Sequence, residues 1–153
     1  MEIFTKDLTV ISLETSSKEE TIKVLSALLY ENNRITSIET FYEEVMRRED
    51  EYTTGFGEGF AIPHGKTDAV IHPSLVAAKC QSPLEWGAMD GNPVTFIFLI
   101  AVPDEAEGAT HLKMISILAE NLMDEKVKEN LKRIDSEEEL YHYVKTLIGG
   151  KII

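Results

Sequence analysis

The segment Thr53-Thr-Gly-Phe-Gly-Glu-Gly-Phe-Ala-Ile-Pro-His-Gly-Lys-Thr-Asp68 packs four glycines and one proline around a single histidine, His64. Gly55, Gly57, Gly59 and Gly65 free the backbone, and Pro63 restrains it. Phe56, Phe60, Ala61 and Ile62 lie between them, so the pattern predicts a tight, backbone-dominated segment with a short strand embedded in it. On the C-terminal side, Ser74–Cys80 and Val94–Val102 read as strands. The second is apolar on both faces and is expected at the centre of a sheet. Pro83–Pro93, with Trp86 and Asp90-Gly91, predicts a turn-rich connection or hairpin between them. Val102–Gly108 reads as a polar loop.

Helical signals occupy the flanks. Upstream, Leu8–Leu13 suits a first strand. Ser16 and Ser17 are each followed three residues later by a glutamate (Glu19, Glu20), a capping-box signature. Ile22, Leu25, Leu28 and Leu29 then form a helical stripe to about Glu31. Thr36 with Glu39 repeats the cap, and Phe41, Val45 and Met46 predict a shorter helix ending near Arg47-Arg48. Downstream, His111, Ile115, Leu118 and Leu122 fall on one helical face. Asp124 caps a short helix through Val127 and Leu131. Ser136 with Glu139 caps a last one, striped by Leu140, Val144 and Leu147 and stopped at Gly149-Gly150. Strands and helices distributed in this way predict an α/β (α+β) fold, a mixed sheet with helices on its faces, in one domain over residues 1–153.

Composition narrows the function. The 153 residues carry 15 Lys+Arg against 27 Asp+Glu, a net charge of −12. Nucleic-acid binding needs a basic footprint, and no Lys/Arg cluster supplies one. The one cysteine, Cys80, excludes an internal disulfide and fits a reducing compartment. The apolar run at Val94–Val102 is far short of the ~20 residues of a membrane span. Met1-Glu2-Ile3-Phe4 lacks the basic-then-apolar layout of a signal peptide. The expectation is a cytoplasmic protein.

Two phosphate-binding templates nearly fit the glycine segment, and both fail. The dinucleotide pattern G-x-G-x-x-G and the Walker pattern ahead of Gly65-Lys66-Thr67 each require glycine at Phe60. Pro63 removes a backbone N–H from any phosphate cradle, and Pro73 leaves little room for the helix that should follow. Zinc, redox-cysteine and serine-hydrolase signatures are also absent. A zinc site would have to be assembled from distant residues.

What remains is His64 itself. Pro63 stiffens the main chain before it, and Gly65 allows a partner to approach the ring. Imidazole is a nucleophile near neutral pH, so His64 is either an acceptor presented to another protein's reactive group or a loop histidine without a role. His111, near a helix start, is either a core-edge histidine or a hydrogen-bond donor to an anion on His64, aided by the helix N-terminus. Arg48 is either a solvated cation or a phosphate clamp. His72 and His142 read as structural or exposed, and Cys80 as packed within a strand. The acidic clusters Glu43-Glu44, Glu49–Glu51 and Glu137–Glu139 read as solvated faces and caps.

Arg48 through Gly65, with Thr54-Gly55, Gly57, Gly59 and Ala61-Ile62-Pro63-His64-Gly65, resembles the enzyme IIA domains of the fructose–mannitol class. These belong to the bacterial phosphoenolpyruvate-dependent sugar phosphotransferase system. The likeness continues through Pro83-Leu84-Glu85-Trp86, Asp90-Gly91-Asn92-Pro93-Val94 and His111-Leu112, in order along nearly the whole chain. Phe60 departs from the pattern, which carries a smaller aliphatic residue there. The resemblance implies a mixed sheet sandwiched by helices and a phosphoryl group carried on His64 Nε2, with His111 and Arg48 on its oxygens. It implies HPr as donor and a cysteine of a IIB component as acceptor, ahead of a membrane IIC permease, with neither a metal, a nucleotide nor any other cofactor. Such a site needs an apolar rim, for which Phe56, Phe60 and Ile62 are candidates. A related possibility is a phosphorylation-dependent regulatory module of the nitrogen type, which binds a partner and feeds no sugar.

Overall fold

In the computed structural model, residues 2–104 and 109–149 are described, without the side chains of residues 109–111. A 3₁₀ turn at Lys6–Leu8 leads into β1 (Thr9–Leu13), followed by α1 (Lys18–Glu31) and α2 (Ile38–Glu51). Three short strands come next: β2 (Gly55–Gly57), β3 (Phe60–Ala61) and β4 (His64–Lys66). The long strands β5 (Ser74–Leu84) and β6 (Val94–Val102) follow, and then α3 (Ala109–Leu122), α4 (Glu125–Arg133) and α5 (Glu137–Ile148). The fold is mixed α/β, as expected. The strands form one sheet in the order β1-β5-β6-β3-β2, with β4 also on β6.

β6 lies at the centre of this sheet, and all its residues except Thr95 are buried. β5 runs antiparallel along one edge of it. Along the other edge, β3 and β4 run parallel with a constant offset: Phe60 opposite Phe96, Ala61 opposite Ile97, His64 opposite Ile100 and Lys66 opposite Val102. Phe60–Lys66 is thus one strand divided at Ile62-Pro63. Pro63 has no N–H to give, but its carbonyl accepts from Ile100 N at 3.0 Å, so the register survives the proline.

The helix starts are set by local chemistry. Ser17 accepts from Glu20 N at 3.0 Å while Glu20 Oε1 accepts from Ser16 N at 2.7 Å. Asp124 accepts from Lys126 N and Ser136 from Glu139 N, as the caps predicted. α2 differs. Its cap is Ser37, which accepts from Thr40 N at 3.1 Å, and the helix continues to Glu51. Thr36 is drawn elsewhere: its N–H and hydroxyl both donate to Ala69 O, beside an isolated bridge between Ile35 and Val70. β5 also runs further than expected, through Pro83 to Leu84, with a register shift after Lys79 that accommodates the proline. Most of the expected polar loop, residues 105–108, lies outside the described residues.

α1 packs on α2 and β5, and α2 packs on β4, while α3 packs on β6, α4 and α5. On β4, Gly65 packs directly against Phe41 and Val45 of α2. Phe60 is fully buried, its ring 5.6 Å from Phe96. It belongs to the core and not to a rim around His64. Pairing with β6 points this ring inward and leaves Phe56, on β2, 39% exposed.

Candidate functional site

His64 is half-buried on β4 and touches two open depressions. The larger, of about 390 Å³, is lined by Arg48, Thr53, Thr54, Gly55, Phe56, Ile62, Met89 and α3 residues Ile115 and Ala119. The smaller, of about 210 Å³, is polar: Glu44, Arg47, Arg48 and Lys66 surround the same imidazole. Ile62 and Phe56 take the apolar places anticipated for them, and Met89, 83% exposed, adds a third apolar group.

The imidazole is held from below by its own strand, Nδ1 lying 3.1 Å from Ile62 O. A carbonyl can only accept, so Nδ1 carries the hydrogen in this contact. The lone pair of the neutral ring is then on Nε2. The backbone beneath is tied on both sides: Ile62 N–H donates to Thr54 O at 3.0 Å and Ile100 N–H to Pro63 O.

Arg48 stands in the last turn of α2, the end at which the helix dipole favours a cation. Its Nη1 donates to Tyr52 O at 2.9 Å and its guanidinium lies 5.5 Å from the centre of the Tyr52 ring. It lines both depressions, so the helix end brings Arg48 beside His64. His111 falls in the first turn of α3, the helix whose Ile115 and Ala119 wall the larger depression. Its side chain lies outside the described residues.

Gly65 has a different reason from the one its neighbourhood implied. A Cβ there would lie 2.8 Å from Val45 Cγ2 and 2.9 Å from Phe41 Cε1. The missing side chain admits α2 to the sheet; it does not open the His64 ring to a partner. Gly57 and Gly59 serve the turn between β2 and β3, where Gly57, Glu58 and Gly59 have φ of +112°, +55° and +96°. Asp90 braces this left-handed run, accepting from Glu58 N at 2.8 Å and from Asn92 N at 3.0 Å. These hydrogen bonds hold the Asp90 carboxyl below the usual carboxylate range. The Glu58 carboxylate is bridged to Lys128 of α4.

Sequence reasoning missed Glu49. Its place in the acidic run Glu49–Glu51 argues for solvent, yet its side chain is only 1% exposed and is paired with Lys18 at 3.2 Å. Thr54 N–H and hydroxyl both donate to it as well. The available signal was spacing: Phe41, Val45 and Glu49 recur every four residues along one helical face. The readings of Cys80 and His142 held. Cys80 is largely covered within β5, and burial pushes its thiol up to about 11. His142 is exposed near Glu138. Among the described residues, no group of three His, Cys, Asp or Glu could hold a metal ion. Among them, too, no helix is long and apolar enough to cross a membrane.

A histidine on a hydrogen-bonded strand, with an arginine lining the same depressions and an apolar rim, is chemically suited to an anionic group. Residues 2–146 match the family described as phosphoenolpyruvate-dependent sugar phosphotransferase system, EIIA 2, and the chain belongs to that family. The family is one of phosphotransferase-system components. The chain is 38% identical over 133 residues to the fructose-specific EIIA component of Haloferax volcanii, covering 86% of each. It is 35% identical over 136 residues to the 2-O-alpha-mannosyl-D-glycerate-specific EIIABC component of Escherichia coli strain K12. That match takes in 88% of this chain but only 21% of the longer protein. The crystal structure of the nitrogen regulatory protein IIA-Ntr from Neisseria meningitidis superposes with a TM-score of 0.85 at 31% identity, covering 93% of this chain and 96% of that one.

Proposed function

We propose that this protein carries a phosphoryl group on His64 Nε2, accepting it from phospho-HPr and passing it to a cysteine of a IIB component during sugar uptake through a IIC permease. The observation that carries the reading is the contact of His64 Nδ1 with Ile62 O, which puts the proton of the neutral ring on Nδ1 and makes Nε2 the nucleophilic nitrogen. In the first transfer that lone pair forms the N–P bond while the donor histidine nitrogen departs with the electrons of the bond it loses. In the second, the acceptor thiolate forms the S–P bond and Nε2 recovers its lone pair.

Transfer of this kind is mostly positioning plus stabilisation of charge on three equatorial oxygens. Arg48 supplies a fixed cation beside the ring, and His111 and the start of α3 would supply further donors. Phe56, Ile62, Met89 and Ile115 give an apolar surround that shelters a labile phosphohistidine and yet stays open to a docking protein. The test is to incubate the protein with phosphoenolpyruvate, enzyme I and HPr and take intact masses of wild type and His64→Ala. One acid-labile phosphoryl group on the wild type, absent from the variant, is expected. A wild type that gains none while HPr is phosphorylated overturns the reading.

The likeness to the Neisseria nitrogen regulatory protein favours a second reading, a phosphorylation-dependent regulator that feeds no sugar. His64 would be loaded in the same way. Transfer onward to a purified IIB protein separates the two, because only the carrier in sugar uptake needs it.

A further inference from the structure

We infer that Glu49 is a positioning residue for this site, fixing the tautomer and seating of His64 through Thr54; the inference rests on the carrier reading above. Glu49 cannot touch a phosphoryl group, because its side chain is shut off from solvent. It acts through what donates to it. Lys18, the first residue of α1, reaches it at 3.2 Å, and Thr54 gives both its N–H, at 3.3 Å, and its hydroxyl. Lys18 is itself backed by the ring of buried Trp86 at 5.5 Å.

From Thr54 the hydrogen bonds continue to the imidazole. Thr54 O accepts from Ile62 N, and Ile62 O accepts from His64 Nδ1. The peptide groups flanking Ile62 are therefore held at one end by the Glu49–Thr54 pair and present a carbonyl to the ring at the other. That carbonyl sets which nitrogen bears the proton. A carboxylate is the only common side chain that can accept at both oxygens and donate from neither, so it can collect all three donors without turning one away. Glu49 also neighbours Arg48 in the last turn of α2, so the same anchor locates the guanidinium. Burial of an ionised side chain is expensive unless it is fully paired, and here the pairing ties α1, α2 and the approach to β2 together at the site.

The experiment compares wild type, Glu49→Gln, Thr54→Val, Thr54→Ser and the double variant Glu49→Gln/Thr54→Val. Each is assayed for phosphoryl transfer from phospho-HPr and for the ¹⁵N shifts of the His64 ring. Glu49→Gln is expected to lower the transfer rate constant roughly 10- to 100-fold, the size of a small misplacement, with the KM for phospho-HPr changed less than about twofold. Its ring shifts should move from the Nδ1-protonated pattern towards a mixture of tautomers. Thr54→Ser should stay near wild type and Thr54→Val should not, and the double variant should be no slower than its slower parent. Wild-type rates and ring shifts in Glu49→Gln, or losses that multiply in the double variant, overturn the inference. Should Glu49→Gln fail to fold, the Thr54 pair decides it by the same readouts. A wild type that accepts no phosphoryl group sinks the carrier reading instead, and the ring shifts still report on Glu49.

Discussion

Gly65→Ala tests why a glycine follows His64. A Cβ built there lies 2.8 Å from Val45 Cγ2, 2.9 Å from Phe41 Cε1 and 3.3 Å from Phe41 Cδ1. Carbon atoms prefer separations of about 3.5–4.0 Å, so the sheet and α2 must part by more than half an ångström, roughly. Neither neighbour can yield easily, because Phe41 and Val45 are both fully buried. Overpacking of this kind costs about 1–3 kcal/mol net of the apolar burial it adds. Taking about 2 kcal/mol, a chain of this length loses about 4–8 °C in Tm. Thermal unfolding followed by circular dichroism measures it. Val45→Ala, which by itself opens a cavity, should then partly rescue Gly65→Ala, with a coupling of about 1 kcal/mol or more. The contrary result is a Gly65→Ala protein with wild-type Tm that fails only in phosphoryl transfer. It would mean that the glycine clears the way for a partner and that the packing argument is wrong.

Arg48→Ala is expected to slow phosphoryl transfer roughly 10²-fold, the loss typical of one charge-stabilising donor, with Tm nearly unchanged because the side chain lies on the rim; quench-flow transfer from phospho-HPr measures it. Cys80 should resist alkylation in the native state at neutral pH and react in urea, because burial raises its thiol from 9.0 to about 11. Folding therefore retains a proton that the unfolded chain releases above pH 9, so this contribution is constant below that pH and is lost as pH rises towards 11. Denaturant unfolding of wild type and Cys80→Ala across pH 8–11 should show the shallower decline in the variant. Asp90→Ala removes the acceptor that braces the left-handed turn, so the Glu58 amide should exchange with solvent markedly faster while amides of β6 do not change.

What could be read from the sequence, and what could not, divides by the distance over which each feature is decided. The caps at Ser17, Asp124 and Ser136 were legible because donor and acceptor lie within three residues of each other. Thr36 and Ser37 both offer a hydroxyl, and the choice fell to Ser37 because Ala69 O, more than thirty residues away, engages Thr36. Phe56 and Phe60 sit in nearly equivalent glycine-flanked settings; pairing with β6 alone sends one to the core and leaves the other at the rim. His64 was legible from its Pro-His-Gly setting, but the wall made by Met89, Ile115 and Ala119 was not, since no local pattern brings those residues together. Glu49 lies between these cases. Its spacing from Phe41 and Val45 marked it as buried, whereas its charge argued for solvent, and only the two donors from Thr54 and the one from Lys18 reverse that weighting. A carboxylate on an apolar stripe is therefore a question about which donors the fold will bring to it. Here the donors come from the start of α1 and from the segment that supports His64, so the residue that the sequence assigned to solvent sits where α1, α2 and the backbone beneath His64 meet.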